Sequence, residues 1–438
     1  MNCNWLFSPH KPVIFVYTAH SFIDVTVSSS LFRFERVLFM SIHVETGADR
    51  RLIVLLLGAL TAIGPLTIDT YLPAFTAIAV DLHTDVATVG LSMSSYFIGI
   101  AVGQLIYGPV LDVMGRKPPL IFGLLLFGAA ALGCALSGSV QWLIGMRLVL
   151  ALGACVGMVA ARAVVRDLFP QNETARIFSL LMLVMGLAPI VAPTLGGIIV
   201  ATLGWRYIFA LLAVVAVLLL AGVWRILPTL AGHGRREALH PYRAVRDYGA
   251  VLATPGFAAG MLTGSFHVAG LFAYLTASPL VFMDLLGMSG PRYGWAMGCN
   301  ALALVVGSQV NARLLKSFSL KGVLWGSNLL QLAASALFVL AVSFGSASFW
   351  MVLTFAAVYM FCLGFLLPDI TALIMAPFGR EKAGSASALL GAFQMMAGAL
   401  AAALVSWGYD GTVAVMAVGM PLCALGSVVL LWRERCLA

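Results

Sequence analysis

From Leu52 to the C-terminus the chain repeats one unit: an apolar run of roughly 20 residues, then a short polar turn. A run of that length spans the hydrocarbon core of a bilayer as a helix. Lipid offers no hydrogen bonds, so each spanning segment must satisfy its own N–H and C=O groups, and a helix does so within itself. Twelve such spans are expected, at 52–74, 86–110, 118–138, 141–166, 175–201, 206–226, 255–281, 293–315, 320–343, 347–376, 384–406 and 411–432. Composition points the same way: 61% of residues are hydrophobic and 10% charged, against about 25% charged in soluble domains. The predicted fold class is an all-α membrane protein with the lipid bilayer as its principal partner.

The longest internal polar stretch, 227–254, carries HGRREALHPYRAVRD and divides the spans into six and six. The expected division is a 1–49 extension, a six-helix half at 50–226, a linker at 227–254 and a second half at 255–438. Residues 1–39 hold no spanning run and no basic–apolar–small cleavage pattern. Met40 stands just ahead of the first span. The extension is expected to be a disordered tail or the product of an upstream start.

The net charge is +8, but the basic residues fall in alternate loops rather than in a patch interleaved with aromatics, so nucleic acid is not the expected partner. Arg116, Lys117, Arg166, Arg176, Arg313, Lys316, Lys321, Arg380 and Lys382 lie on one side. Arg206 and Arg292 are nearly alone on the other. That asymmetry predicts both termini in the cytoplasm. Of the seven cysteines, five sit inside apolar runs without metal-ligand spacing, and they read as small packing residues.

Within this frame a few segments carry chemistry. Gly108-Pro-Val-Leu-Asp112-Val-Met-Gly115-Arg116-Lys117 joins spans two and three, with glycines that permit a tight turn. Span one ends Thr67-Ile-Asp69-Thr-Tyr71-Leu-Pro73, and span four opens at Arg147. Span five holds Gly186, Pro189, Pro193, Gly196 and Gly197, and each proline removes a backbone donor and bends the helix. Span seven carries His267 and Tyr274, and span ten Leu367-Pro368-Asp369, near its middle.

The 108–117 loop resembles the signature loop of the major facilitator superfamily, with Val113 where that signature usually has a basic residue. Together the segments resemble the Bcr/CflA group of drug:proton antiporters, from about residue 50 to the end. Leu150 and Asp369 depart from the group's usual Gln and Asn. The resemblance implies a major facilitator fold of two six-helix halves and proton-coupled export of small organic compounds by a bacterial inner-membrane protein, acting as a monomer. It also implies that 108–117 gates the conformational change, that Arg147 tunes a proton-binding carboxylate and that the Pro189/Pro193 kink is the antiporter motif.

Other readings stay open beside these. Asp69 either carries protons or substrate or merely caps the helix end before Pro73. An intramembrane carboxylate is costly and is by default a functional candidate. Arg147 is either that electrostatic partner or an interfacial anchor. For at least one of Arg162 and Arg166, snorkelling from the lipid face is expected. Tyr71, His267, Tyr274 and Asp369 are the candidates for a substrate pocket, His267 alternatively being a packing residue. No cofactor and no metal site is expected. Without a phosphate-cradling GxxxxGK[ST], the energy source would be an ion gradient. The rival functions are a narrow transporter for a purine or sugar-like metabolite, a membrane enzyme and a channel. The enzyme would need a polar catalytic cluster at one membrane face, and none is visible in the sequence.

Overall fold

Helices form where the apolar runs predicted them. The computed structural model describes residues 47–230, 241–345, 348–378 and 380–435. The expected extension 1–49 lies almost wholly outside the described residues, as does part of the polar linker. Ala48–Ala438 form one compact unit. In chain order the helices are α1 (Gly47–Asp69), α2 (Phe75–Asp81), α3 (Val86–Met114), α4 (Lys117–Ala135), α5 (Val140–Leu168), α6 (Gln171–Thr202) and α7 (Arg206–Ile226). After the amphipathic α8 (Pro241–Leu252) come α9 (Phe257–Pro279), α10 (Gly290–Leu314), α11 (Leu320–Ser343), α12 (Phe349–Met375), α13 (Arg380–Trp407) and α14 (Ala414–Arg435).

Among the described residues, eleven helical segments are long and apolar enough to cross a membrane, the first running from α1 through α2. The twelfth expected span is α10, whose 25 residues are long enough but include Asn300, Ser308, Gln309 and Asn311. Polar side chains inside a span turn to the protein interior, and Asn300 and Asn311 are buried. The outward surface carries exposed Leu125, Val217, Leu218, Leu337, Leu400 and Trp432, a surface that only a bilayer covers.

Local signals set the helix ends. Asp85, Ser139, Ser319 and Ser348 accept backbone N–H bonds at the starts of α3, α5, α11 and α12, each satisfying a donor the first turn leaves unpaired. Gly115 turns the chain between α3 and α4 at φ +81°, a conformation glycine adopts without cost.

The two halves meet along α3 with α13 and α6 with α10. At the end of the bundle away from the 108–117 turn, α6 and α10 touch backbone to backbone. A Cβ on Gly197 would stand 2.5 Å from the Gly290 carbonyl oxygen, and one on Gly196 would overlap the Thr70 carbonyl. Halfway down, the rings of Phe97 and Phe272 pack across the same divide with centroids 3.9 Å apart. At the other end, which holds the 108–117 turn, a cleft of about 400 Å³ separates the halves.

Candidate functional site

The polar groups that the sequence placed in the first and fourth spans converge at the closed end of the bundle. Helix α1 tightens as it finishes. The N–H of Tyr71 turns to Ile68 at 3.3 Å rather than to Thr67, which leaves the Thr67 carbonyl free to accept elsewhere. Arg147, fully buried in the second turn of α5, donates to it from Nη1 at 3.2 Å and reaches Met93 Sδ from Nη2 at 3.1 Å. Its guanidinium lies over the ring of Tyr71 at 4.0 Å and that of Tyr96 at 4.7 Å. Removing a cation from water costs several kcal/mol, and cation–π contacts in a desolvated site return about 2 kcal/mol or more. Tyr71 is itself held by a 2.7 Å bond between its hydroxyl and Ser92 Oγ.

Asp69 is the last residue of α1 and only 4% exposed. Among the described residues its carboxylate makes no hydrogen bond and no ion pair. The expected neighbourhood of Asp69 and Arg147 is therefore present, but the direct charge pair is not. Arg147 is held on the backbone two residues upstream, and Tyr96 feels the fields of both groups.

The second half contributes a wall of buried phenols. Tyr274 accepts from Asn300 Nδ2 and reaches Met297 Sδ at 3.2 Å. The Tyr293 hydroxyl shares a 2.7 Å bond with Ser278 Oγ, and Tyr293 also lies within the field of Asp69. Asn300 Oδ1 has no partner among the described residues. His267 is 1% exposed, and among the described residues neither ring nitrogen is bonded. Asp369 stands in the last two turns of α12, not near its middle, and accepts from Asn311 Nδ2 at 2.7 Å. It lies towards the open end, so it belongs to a different level of the bundle from Asp69.

The 108–117 loop is held by a fork. Arg116 donates from Nε to Asp167 at 2.7 Å and from Nη1 to Asp112 at 2.9 Å. Burial works against its charge, but the two carboxylates outweigh burial and hold the guanidinium above its usual pKa. Lys117 Nζ donates to the carbonyls of Trp224 and Leu227 at 2.8 and 2.9 Å. Val113 in place of the usual basic residue has not left the loop without ion pairs. Pro189 and Pro193 lie within α6, and Gly196 and Gly197 follow at the backbone contact between the halves.

One expectation is corrected. Arg162 and Arg166 both line the cleft between the halves, so neither snorkels from the lipid face. The small residues around them, Ala160, Ala161 and Ala163, give the helix no apolar stripe from which its facing could be read. Thr67, Tyr96, Tyr293, Asn300 and Asn311 were not singled out from the sequence. The two asparagines carry a usable signal, since amides inside a span are rare outside protein-facing positions.

The family model described as Major Facilitator Superfamily matches residues 55–290 and 260–435. The chain is 33% identical over 407 residues to the uncharacterized MFS-type transporter YdgK of Bacillus subtilis, covering 90% of this chain and 98% of that protein. It is 29% identical to a bicyclomycin resistance protein homolog of Haemophilus influenzae, over 86% and 94% of the two chains. These relatives agree with the Bcr/CflA resemblance carried by the motifs. Among solved structures, the nucleoside transporter NupG superposes with a TM-score of 0.68 at 14% identity, over 88% of this chain and 99% of that one.

Proposed function

Because the chain belongs to the major facilitator superfamily, a family of multi-pass membrane transporters of small molecules, we propose that it exports drugs or related organic compounds in exchange for protons across a bacterial inner membrane. The observation that carries this reading is the buried carboxylate of Asp69, which among the described residues has no partner and stands near the Arg147 guanidinium, itself paired there with no carboxylate. A carboxylate that gains a proton in one conformation and loses it in another couples proton entry to substrate release. The proposed coupling pair is Asp69 with Arg147, and the proposed pocket is formed by Tyr71, Tyr274 and His267 with Asp369 nearer the open end.

In the proposed cycle the halves, taken as 50–226 and 255–438 joined by the 227–254 linker, rock about a site near the bilayer midplane. The α6–α10 contact opens as the 108–117 end closes, with both termini in the cytoplasm. The names of the relatives support drug export. The protein is proposed to work as a monomer, since the cleft, the buried arginine and both carboxylates lie within one chain.

Inverted membrane vesicles incubated with a compound panel test this. Accumulation that requires an imposed proton gradient and spans unrelated compounds is the expected result. Accumulation of a single purine or sugar-like compound would instead favour a narrow metabolite transporter.

A further inference from the structure

The cleft at the open end holds a second polar constellation that the coupling mechanism does not use. Arg162 and Arg166 are four residues apart on α5, a spacing that puts both side chains on one helix face. Both are exposed to the cleft. Among the described residues neither forms an ion pair. Arg162 spends only its Nε, on the Met158 carbonyl at 3.3 Å, so the outer edge of its guanidinium points at no acceptor there.

Two carboxylates also line the cleft. Asp112 is engaged by Arg116, which leaves Asp247 against two guanidinium groups. Gln104 also lines the cleft, but its Oε1 is turned against Gly391, where an added Cβ would overlap it, so it offers the cleft no acceptor. Phe178 and Met375 supply apolar wall. A cationic solute would be repelled here. A planar oxyanion matches the guanidinium fork, and its bonds to two cations are of the strong, charge-assisted kind.

We propose that this cleft binds an amphiphilic organic anion: its carboxylate or similar oxyanion between Arg162 and Arg166, and an apolar body against Phe178 and Met375. The inference rests on the transporter reading above and narrows its substrate class. A lipid headgroup carries oxyanions too, but this cleft lies between the halves rather than on the outer surface, so the commitment is to a water-borne solute.

The full chain in phosphatidylcholine nanodiscs tests it with two matched fluorescent probes. Dansylglycine has the carboxylate, a sulfonamide N–H and an aromatic body; dansylglycinamide differs only in lacking the charge. Dansylglycine should bind at least about tenfold more tightly than the amide. R162Q/R166Q should erase that preference. R162K/R166K, which keeps both charges, should retain most of it, so that loss in the glutamine variant is read as loss of charge and not of fold. Equal affinity of the two probes for the unmodified protein would overturn the proposal, as would a preference that survives R162Q/R166Q. Displacement of dansylglycine by dihexanoyl-phosphatidylglycerol, where dihexanoyl-phosphatidylcholine leaves it bound, would assign the pair to a lipid and likewise overturn it. Proton-driven export in inverted vesicles is a separate readout. Its absence would remove the export reading while leaving anion binding standing, and its presence without anion binding would do the reverse.

Discussion

Arg147 hangs on the carbonyl of Thr67, not on the carboxylate of Asp69 two residues later. The guanidinium is thereby fixed by backbone and two phenol rings, whatever the protonation state of the acid. Asp69 is free to change charge without dismantling its neighbour's support.

Under the proposed coupling, that separation predicts an acid dispensable for binding and indispensable for coupling. Asp69→Asn holds the position permanently neutral. Proton-driven accumulation in inverted vesicles should disappear, while exchange of substrate down its own gradient persists. Normal proton-driven export by Asp69→Asn would move the coupling site elsewhere, with Asp369 the next acid to examine.

Replacing Arg147 should injure the fold as well as transport. Gln cannot stack between Tyr71 and Tyr96 as a cation, and about 2 kcal/mol of cation–π attraction goes with it. Lys keeps the charge but lacks the planar fork that satisfies Thr67 and both rings together. Arg147→Gln should lower the thermal unfolding midpoint in detergent, and Arg147→Lys should fall between it and the parent. A lysine variant indistinguishable from the parent in both unfolding and export would mean that charge alone matters here.

The two arms of the Arg116 fork should differ in weight. The Asp112 side chain is 63% exposed and that of Asp167 20%, and exposed pairs contribute roughly 0–1 kcal/mol. Asp167→Ala should therefore slow export more than Asp112→Ala. Asp167→Ala should leave equilibrium binding within a few fold, whereas Asp112 lines the cleft proposed for the anion, so its loss should tighten anion binding there. Initial transport rates beside binding isotherms give the comparison, and the reverse ranking would count against the fork as described.

Bulk at Gly197 should favour opening of the closed end. A leucine side chain cannot fit where even a Cβ meets the Gly290 carbonyl. Gly197→Leu should raise, several-fold, the rate at which an impermeant thiol reagent labels a cysteine introduced at Thr194, which packs on Gly294. An unchanged labelling rate would show that the contact is not what keeps this end shut.

The spans were legible because the bilayer imposes one length and one polarity on every segment, and the buried acid and arginine were legible because charge in such a segment is conspicuous. Other features left no such mark. The free carbonyl of Thr67 arises from a one-residue change in the hydrogen-bond ladder, invisible in residue types. Tyr96 lies in a run apolar enough to absorb a phenol unremarked. The contact of Gly197 with Gly290 joins residues far apart in sequence, and either glycine alone reads as ordinary helix packing. Span α10 was the least apolar for the same reason it matters, since its amides serve the interior rather than the lipid.

The two carbonyls gripped by Lys117 close the sixth membrane helix and begin the linker. They moor the start of the connection between the halves to the very turn that carries the Arg116 fork. The start of the connection is thus tied, through Leu227, to the first half. If the halves rock as proposed, residues inserted beyond Leu227 lengthen only the untethered part of the connection, whereas removing the Lys117 amine frees its anchored end as well.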